Sequence, residues 1–529
     1  MRAVTSNIPP VLRPEHPAPR SLALLVEEFG LEHHGAIDTV EVTGVTVRTT
    51  EVQPGDLFAA LPGLNAHGAS YAADAAAAGA VAVVTDVAGS ALIAESGAEE
   101  SALPVVVVED ARGALGDISA WVYRTAENPP LLFGTTGTNG KTSTSYLLEA
   151  ILRQLGYVTG LSSTAERHIG ELTVVSRLTT PEASEMHALL ARMREAAVRA
   201  VAIEVSAQAL TWHRVDGIVF DVAAFTNLSH DHLDDYADME EYFRAKLPLF
   251  QPDRARRGVV CLDTAYGRRV VEESRIPVTT IATVGHATDD DVASAEWVVE
   301  VLDETPLHTG FRLTGPEGRS LQTREPLIGW HMAANAALAI VMLVEAGFEL
   351  EAIGAALDAD GGIQAYLPGR TERVSGERGP SVYVDFGHSP DAFENTLAAV
   401  RQFTTGRTIM LFGADGDRDA TKRHEMGRVA AQGSDILVIT DHHPRFEDPA
   451  SIRKTLLEGA ALAEDQPQEI HEVSPPEEAI KKAVSLAREG DSILWAGPGH
   501  QDYRDIRGVR TVYSARDLAR AALREAGWE

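Results

Sequence analysis

Cysteine is almost absent: Cys261 is the single one in 529 residues. No intrachain disulfide framework and no cysteine-built metal cluster can form, which suits a reducing cytoplasm. Positive charge is also short. Lysine and arginine number 46 against 77 aspartates and glutamates, a net charge of −31. That balance excludes the basic surface of a general nucleic-acid binder and offers no attraction to anionic membranes. An anionic substrate would need a locally basic site. No stretch reaches the roughly 18 apolar residues of a spanning helix, so no membrane insertion is expected. Residues 1–20 are proline-rich and lack the apolar segment of a signal peptide, so a mobile arm is expected there. No repeat of fixed period is present.

The hydrophobic fraction of 44% and charged fraction of 23% are those of an ordinary globular protein. The length suggests about three or four domains. "AVAVVTD" (80–86) and "PVVVVED" (104–110) read as buried strands, and "ARGALGDISAWVYRTAENPP" as a helix running into a proline-marked boundary. An apolar strand, a Gly/Thr loop and a helix with Leu147, Leu148, Ile151 and Leu152 on its apolar face follow. Strands are expected over 198–206, 220–228 and 258–263, and a buried helix over 331–347. From residue 367 strand and helix alternate cleanly, which implies a doubly wound parallel sheet with ligands at the carboxyl ends of its strands. Those ends carry "DFGHSPD", "GADGDRD", "DHHPR" and "GPGHQD". In "SPPEEAIKKAVSLAREG", Ser474 reads as a helix N-cap, Pro475 as a first-turn residue and Glu477 as the second half of a capping box. The expected fold is α/β in three domains. These are a small α/β N-terminal domain (1–127), a central domain with a glycine loop and a parallel-rich sheet (128–366) and a C-terminal doubly wound, Rossmann-like domain (367–529).

"GTTGTNGKTST" (134–144) departs from the standard phosphate loop, because Thr135 stands where the first glycine belongs. The strand before it, the helix after it and Gly-Lys-Thr still point to a nucleotide. Gly134, Gly137 and Gly140 would allow close approach of backbone N–H groups to phosphate oxygens. Lys141 can reach the terminal phosphates and the Thr142 hydroxyl can ligate Mg²⁺. The run "TNLSHDHLDDY" (226–236) gathers His230, Asp231, His232, Asp234 and Asp235. Two histidines two apart permit zinc, but carboxylate and water beside ATP favour Mg²⁺. Glu204 ends an apolar strand and needs a partner, such as a metal or water. Asp415, Asp417 and Asp419 have calcium-loop spacing. Ala420 and Met426 occupy the positions that require glycine and glutamate, which excludes an EF-hand. Arg418 and Arg445, near two strand ends, suit carboxylate-binding forks.

Together with "LTTPE", "EVSAQAL", "RVDG", "MEEYFRAKLPLF", "PGRTER" and "HPRFEDP", these motifs resemble the Mur ligase family. Their order and spacing are most similar to its tripeptide-synthetase branch, from about residue 40 to the end. The resemblance implies that the N-terminal domain binds the UDP end of the substrate, the central domain ATP and the third domain an amino acid. It implies an ATP-dependent ligase that adds a third residue, a diamino acid, to UDP-MurNAc-L-Ala-D-Glu through an acyl phosphate. That step belongs to peptidoglycan precursor synthesis, and so to cell-wall growth, cell shape and division. Implied cofactors are ATP, Mg²⁺ and a CO₂-derived carbamate on Lys246 (N6-carboxylysine). Catalytic roles fall on Lys141, Lys246 and His232, and metal ligation on Thr142, Glu204, His232 and carbamylated Lys246. The ATP site takes Gly134, Thr135, Thr136, Gly137, Thr138, Asn139, Gly140, Lys141, Thr142 and Ser143, extended by Asn335, Arg370, Asp385 and His388. Thr49, Thr179, Thr180, Ser206 and Arg214 match positions that hold the UDP-substrate. Arg418, Asp441, His443, Arg445, Gly497 and Gln501 match the amino-acid site. A cytoplasmic monomer is expected.

Several positions depart from the family pattern. Arg48, Thr49 and Thr50 replace Asp-Ser-Arg, Ala207 and Gln208 replace a Ser-His pair, and Met332 stands at the first asparagine of Asn-x-x-Asn. His443 occupies the asparagine position of Asp-Asn-Pro-Arg, and neutral Gln501 replaces the glutamate that would pair with the distal ammonium of diaminopimelate. Diaminopimelate, lysine, ornithine, diaminobutyrate and a neutral residue therefore stay open. Two rival functions also stay open. One is an amide ligase acting on another carboxylate, folylpolyglutamate-like or in specialised metabolism. The other is a non-catalytic nucleotide-binding regulator.

Overall fold

The computed structural model describes residues 11–63, 65–95, 103–231 and 233–528, and three main sheets organise them. The first has the order Glu32–His34, Val105–Val108, Ala82–Asp86, Asp56–Ala60, Gly44–Thr46. It is parallel except at the Glu32–His34 edge. Val105–Val108 is an unbroken valine run because both of its faces are covered. Helices Leu22–Phe29 and Ala114–Tyr123 cover one face, and Ala72–Ala78 lies on the other.

Eleven strands form the central sheet. Its parallel core runs Thr159–Ser162, Ala200–Glu204, Leu131–Thr136, Phe220–Phe225, Ala255–Cys261, Val278–Thr283, Trp297–Thr305. Antiparallel strands extend it at both ends. The strand that feeds the glycine loop lies inside this core. Helix Trp330–Glu345 is apolar nearly all round because it packs on the sheet, against the loop helix Lys141–Gln154 on the same face and helix Leu350–Ala359. A second apolar layer, including Met186, Leu189 and Phe243, covers the opposite face.

The third sheet has the order Glu372–Arg373, Ser381–Asp385, Ser492–Ala496, Thr408–Phe412, Ile436–Ile439, Glu469–Glu472. All pairs are parallel except the first. Apolar layers on both faces confirm the doubly wound expectation. The four polar loops named above leave the carboxyl ends of four adjacent strands.

Two local expectations need correction. Gly134, Thr135 and Thr136 are not loop residues but the end of the strand Leu131–Thr136. Gly134 is small because a Cβ there would lie 2.9 Å from the Phe220 ring on the neighbouring strand. Ser474 does not cap its helix. Helix Pro476–Leu486 starts after Pro475, which occupies the N-cap position without a side-chain bond. The Ser474 hydroxyl donates instead to Asp441 at 2.5 Å.

Candidate active site

The loop proper is Gly137 to Gly140. Gly137 has φ +147°, and a Cβ there would come within 1.9 Å of Thr226 Oγ1. Segment 226–229 closes on that space. The Thr138 N–H donates to the Asn227 carbonyl at 2.9 Å and the Asn139 N–H to Asn227 Oδ1 at 2.9 Å. Thr226 Oγ1 donates to the Asn139 carbonyl at 2.6 Å. Gly140 (φ +87°) lies against Asn335, whose Oδ1 accepts from Thr144. Ser143 is buried in the first turn of the following helix.

Two lysines meet on one carbonyl. Lys141 Nζ donates to the Gly137 carbonyl at 2.9 Å and the Thr138 carbonyl at 2.7 Å. Lys246, the last residue of helix Met239–Lys246, is 1% exposed and donates to the same Gly137 carbonyl at 3.0 Å. Burial, then the Lys141 charge, push the Lys246 ammonium well below its ordinary range, with Asp231 opposing. Lys141 is also lowered by burial, with Glu204 and Asp231 opposing. A narrow cavity of about 20 Å³ beside them is lined by both lysines, Ser206, Gln208 and Tyr242. A larger cleft of about 560 Å³ lies in the C-terminal domain beside Arg401, Arg428 and Asp435. There Arg401 pairs with Asp435 and Arg428 with Glu425, so no chemistry converges on it.

Glu204 ends its strand fully buried. Its oxygens accept from the Thr164 N–H at 2.9 Å, and the Thr164 hydroxyl lies 3.0 Å from both Glu204 Oε2 and Thr179 Oγ1. Each carboxylate oxygen keeps lone pairs free for a cation. Thr142 Oγ1 supplies a second hard oxygen and accepts from Arg370 Nη2 at 2.7 Å. Carboxylate and hydroxyl are donors suited to Mg²⁺. His232, the expected second metal ligand, lies outside the described residues. Thr180 Oγ1 donates to the Glu204 carbonyl at 2.7 Å, and Ser206 caps helix Ala207–Thr211. Arg214 is held by Glu182, which also binds Arg112.

The C-terminal domain closes over this region. Arg370 is partly buried, 4.4 Å above the Phe386 ring, and its guanidinium is lowered by desolvation against the pull of Asp385 and Glu204. Asp385 accepts from the Thr371 and Gly387 N–H groups at 2.7 and 2.5 Å. His388 donates through Nδ1 to the Phe386 carbonyl, leaving Nε2 3.7 Å from Asp231 Oδ2. Lys422 reaches across to Asp231 at 2.6 Å, and Arg418 sits 3.9 Å from Asp234.

At the opposite end, Thr49 is partly exposed in the short turn Thr49–Glu51. Glu51 there gathers Arg48, Arg177 and, through its carbonyl, Arg13.

Among the residues expected to hold the amino acid, Asp441 is engaged by Arg453 and Ser474. His443 accepts through Nδ1 from the Asp505 N–H at 2.9 Å, and its Nε2 lies 2.8 Å from Gln501 Oε1. Arg445 Nη2 is 3.4 Å from Asp415 Oδ2. Gly497, with φ +111°, passes beside His442.

Residues 41–123 match the Mur ligase family catalytic domain, 135–343 the Mur ligase middle domain, and 369–499 the Mur ligase glutamate ligase domain. The chain is 62% identical over 525 residues to UDP-N-acetylmuramyl-tripeptide synthetase of Leifsonia xyli subsp. xyli, covering 99% of this chain and 100% of that protein. The chain belongs to the Mur ligase family. It is 42% identical over 514 residues to UDP-N-acetylmuramoyl-L-alanyl-D-glutamate–2,6-diaminopimelate ligase of Streptomyces avermitilis, covering 97% of this chain and 98% of that one. A solved structure of a UDP-N-acetylmuramoyl-L-alanyl-D-glutamate–2,6-diaminopimelate ligase superposes with a TM-score of 0.63 at 25% identity, covering 95% of this chain and 99% of that one. As a Mur ligase, the chain is an ATP-dependent ligase.

Within this Mur ligase, sequence reasoning missed Thr164, Asn227 and Lys422. Their partners lie 40, 88 and 191 residues away. Only the place of "TNL" at the end of a strand next to the loop strand could have marked Asn227.

Proposed function

We propose that this Mur ligase adds the third amino acid, a diamino acid, to UDP-MurNAc-L-Ala-D-Glu in peptidoglycan precursor synthesis. The observation that carries the reading is the pair Lys141 and Lys246 on the Gly137 carbonyl, with Glu204, Thr142 and Arg370 beside them. Bound MgATP supplies the phosphoryl group that activates the D-Glu carboxylate as an acyl phosphate, which the amine of the amino acid then attacks. Lys141 and Arg370 offset the negative charge that develops on the transferring group. Thr142 and Glu204 would hold one Mg²⁺, and His232 would be a ligand of a second metal ion. Lys246 is the group suited to react with CO₂: burial beside a second cation favours its neutral amine, and the resulting carbamate is an anion that helps position a cation. Asn335, Asp385 and His388 border the nucleotide. Thr49, Thr179, Thr180, Ser206 and Arg214 hold the UDP-substrate, and Arg418, Asp441, His443, Arg445, Gly497 and Gln501 surround the amino acid.

The division of labour follows the three domains, with boundaries at 127/128 and 366/367. The enzyme works in the cytoplasm as a monomer. Phosphate release with ATP, UDP-MurNAc-L-Ala-D-Glu and a panel of amino acids tests the reading. Release that requires both co-substrates is expected; no release with any amino acid overturns it.

A further inference from the structure

The side chains at the carboxyl ends of the C-terminal strands form a defined pattern of donors and acceptors. Asp415 follows strand Thr408–Phe412, His442 to Arg445 follow Ile436–Ile439, and Gln501 follows Ser492–Ala496. Thr408–Phe412 lies between the other two in the sheet, so Asp415 stands centrally. Ligand atoms of Asp415, His442 and His443 lie within 4.8 Å of one another.

The tautomer of His443 is fixed by its neighbours. Nδ1 accepts from the Asp505 N–H, so Nε2 carries the proton and donates to Gln501 Oε1. Gln501 is thereby oriented with its carbonyl toward His443, and its NH₂ is the group left for a ligand. An NH₂ donor cannot accept from an ammonium. Asp441 is already engaged by Arg453 and Ser474, and Asp417 accepts from the Phe446 N–H at 2.9 Å. Asp415 differs. Its Oδ2 has Arg445 at 3.4 Å, while its buried Oδ1 receives no hydrogen bond and has His442 Nε2 at 3.5 Å. Burial, then the neighbouring His443, push the His442 imidazole down to about 3, with Asp415 opposing.

We propose that Asp415 is the specificity-determining acceptor for the side-chain ammonium of the incoming diamino acid. The inference rests on the ligase reading above. It moves the anionic end of this cluster from position 501, where the chain is neutral, to position 415. In this arrangement the arginines take the carboxylate, the α-amine attacks, and the second nitrogen meets Asp415. His443 acts as a positioning residue for the Gln501 amide. A metal held by Asp415, His442 and His443 fits less well, because both His443 nitrogens are committed and only two ligands remain.

The test uses the full chain with ATP and UDP-MurNAc-L-Ala-D-Glu. It compares lysine, ornithine, 2,4-diaminobutyrate and meso-diaminopimelate with uncharged norleucine and norvaline. Wild type is expected to prefer a diamino acid. Asp415→Asn is expected to raise KM for that amino acid at least about 10-fold, as loss of a charge-assisted bond does, and to erode its preference over the uncharged chains. KM values for ATP and the UDP-substrate should stay unchanged, which also reports an intact fold. Asp415→Glu retains the charge one methylene further out and should shift preference toward a shorter diamino acid. Normal ligation with unaltered preference in both variants overturns this inference alone. No phosphate release by wild type with any amino acid overturns it together with the ligase reading. Equilibrium dialysis with Zn²⁺ is the remaining arm: tight binding by wild type that Asp415→Asn abolishes would assign the cluster to a metal and overturn the proposal.

Discussion

Lys246 donates to the Gly137 carbonyl and shares that acceptor with a second lysine, Lys141. As an ammonium it is the costly form, and as an amine it can carry CO₂. Lys246→Ala should reduce phosphate release at least about 100-fold, the scale on which removing one electrostatic group acts. Short-chain carboxylates should restore part of it, since they can occupy the vacated space as anions. Full activity in the variant, measured by steady-state kinetics, would remove the carbamate role. Lys141 and Lys246 were legible in the sequence because each sits in a motif. The burial that separates Lys246 from an ordinary helix lysine was not, because it depends on the loop packed above it. Asp415 shows the opposite failure. Its spacing with Asp417 and Asp419 suggested a calcium loop, and rejecting that left it without a role until the fold set it beside Arg445 and His442.

Among the elements, the glycine loop is fixed by close approach rather than by flexibility. Gly137→Ala combines a positive φ with a Cβ 1.9 Å from Thr226 Oγ1. It should destabilise the protein by roughly 1–3 kcal/mol and raise KM for ATP, read from thermal unfolding and initial rates. Strand Glu166–Ile169 carries a different device. Burial alone would lower His168, but hydrogen bonds and charge from Glu149 and Glu166 outweigh it and raise the imidazole from 6.5 to about 9. A raised folded-state value gives stability that is complete below about 6.5 and lost as pH rises through about 9. The contribution is on the order of 3 kcal/mol. Wild type should therefore lose more Tm than His168→Gln between about pH 6.5 and 9; parallel profiles would disprove the pairing. At this scale the sequence was informative wherever apolar runs were continuous, since buried parallel strands leave that pattern. It misplaced Gly134, which serves Phe220 across the sheet, and Ser474, whose hydroxyl was claimed by Asp441. Both errors came from partners distant along the chain.

Across the whole molecule, the C-terminal domain is fastened to the central one by Arg370 on Thr142 and Lys422 on Asp231. These contacts join residues 228 and 191 positions apart, and no periodicity encodes them. A proline-marked boundary near residue 128 and the strand–helix alternation from residue 367 divided the chain in the sequence, but the docking of its parts could not be inferred. Lys422→Ala should loosen it, seen as a larger radius of gyration by small-angle scattering and a higher KM for the amino acid. An unchanged radius and KM would show that Arg370 suffices.

Arg370 belongs to the segment that joins the two domains, yet its guanidinium holds the hydroxyl of the phosphate-loop threonine. Position of the C-terminal domain and affinity at the nucleotide site are therefore one thermodynamic variable read at two places. An amino acid that shifts the docking equilibrium must change nucleotide affinity by some factor, and the nucleotide must return that same factor to the amino acid.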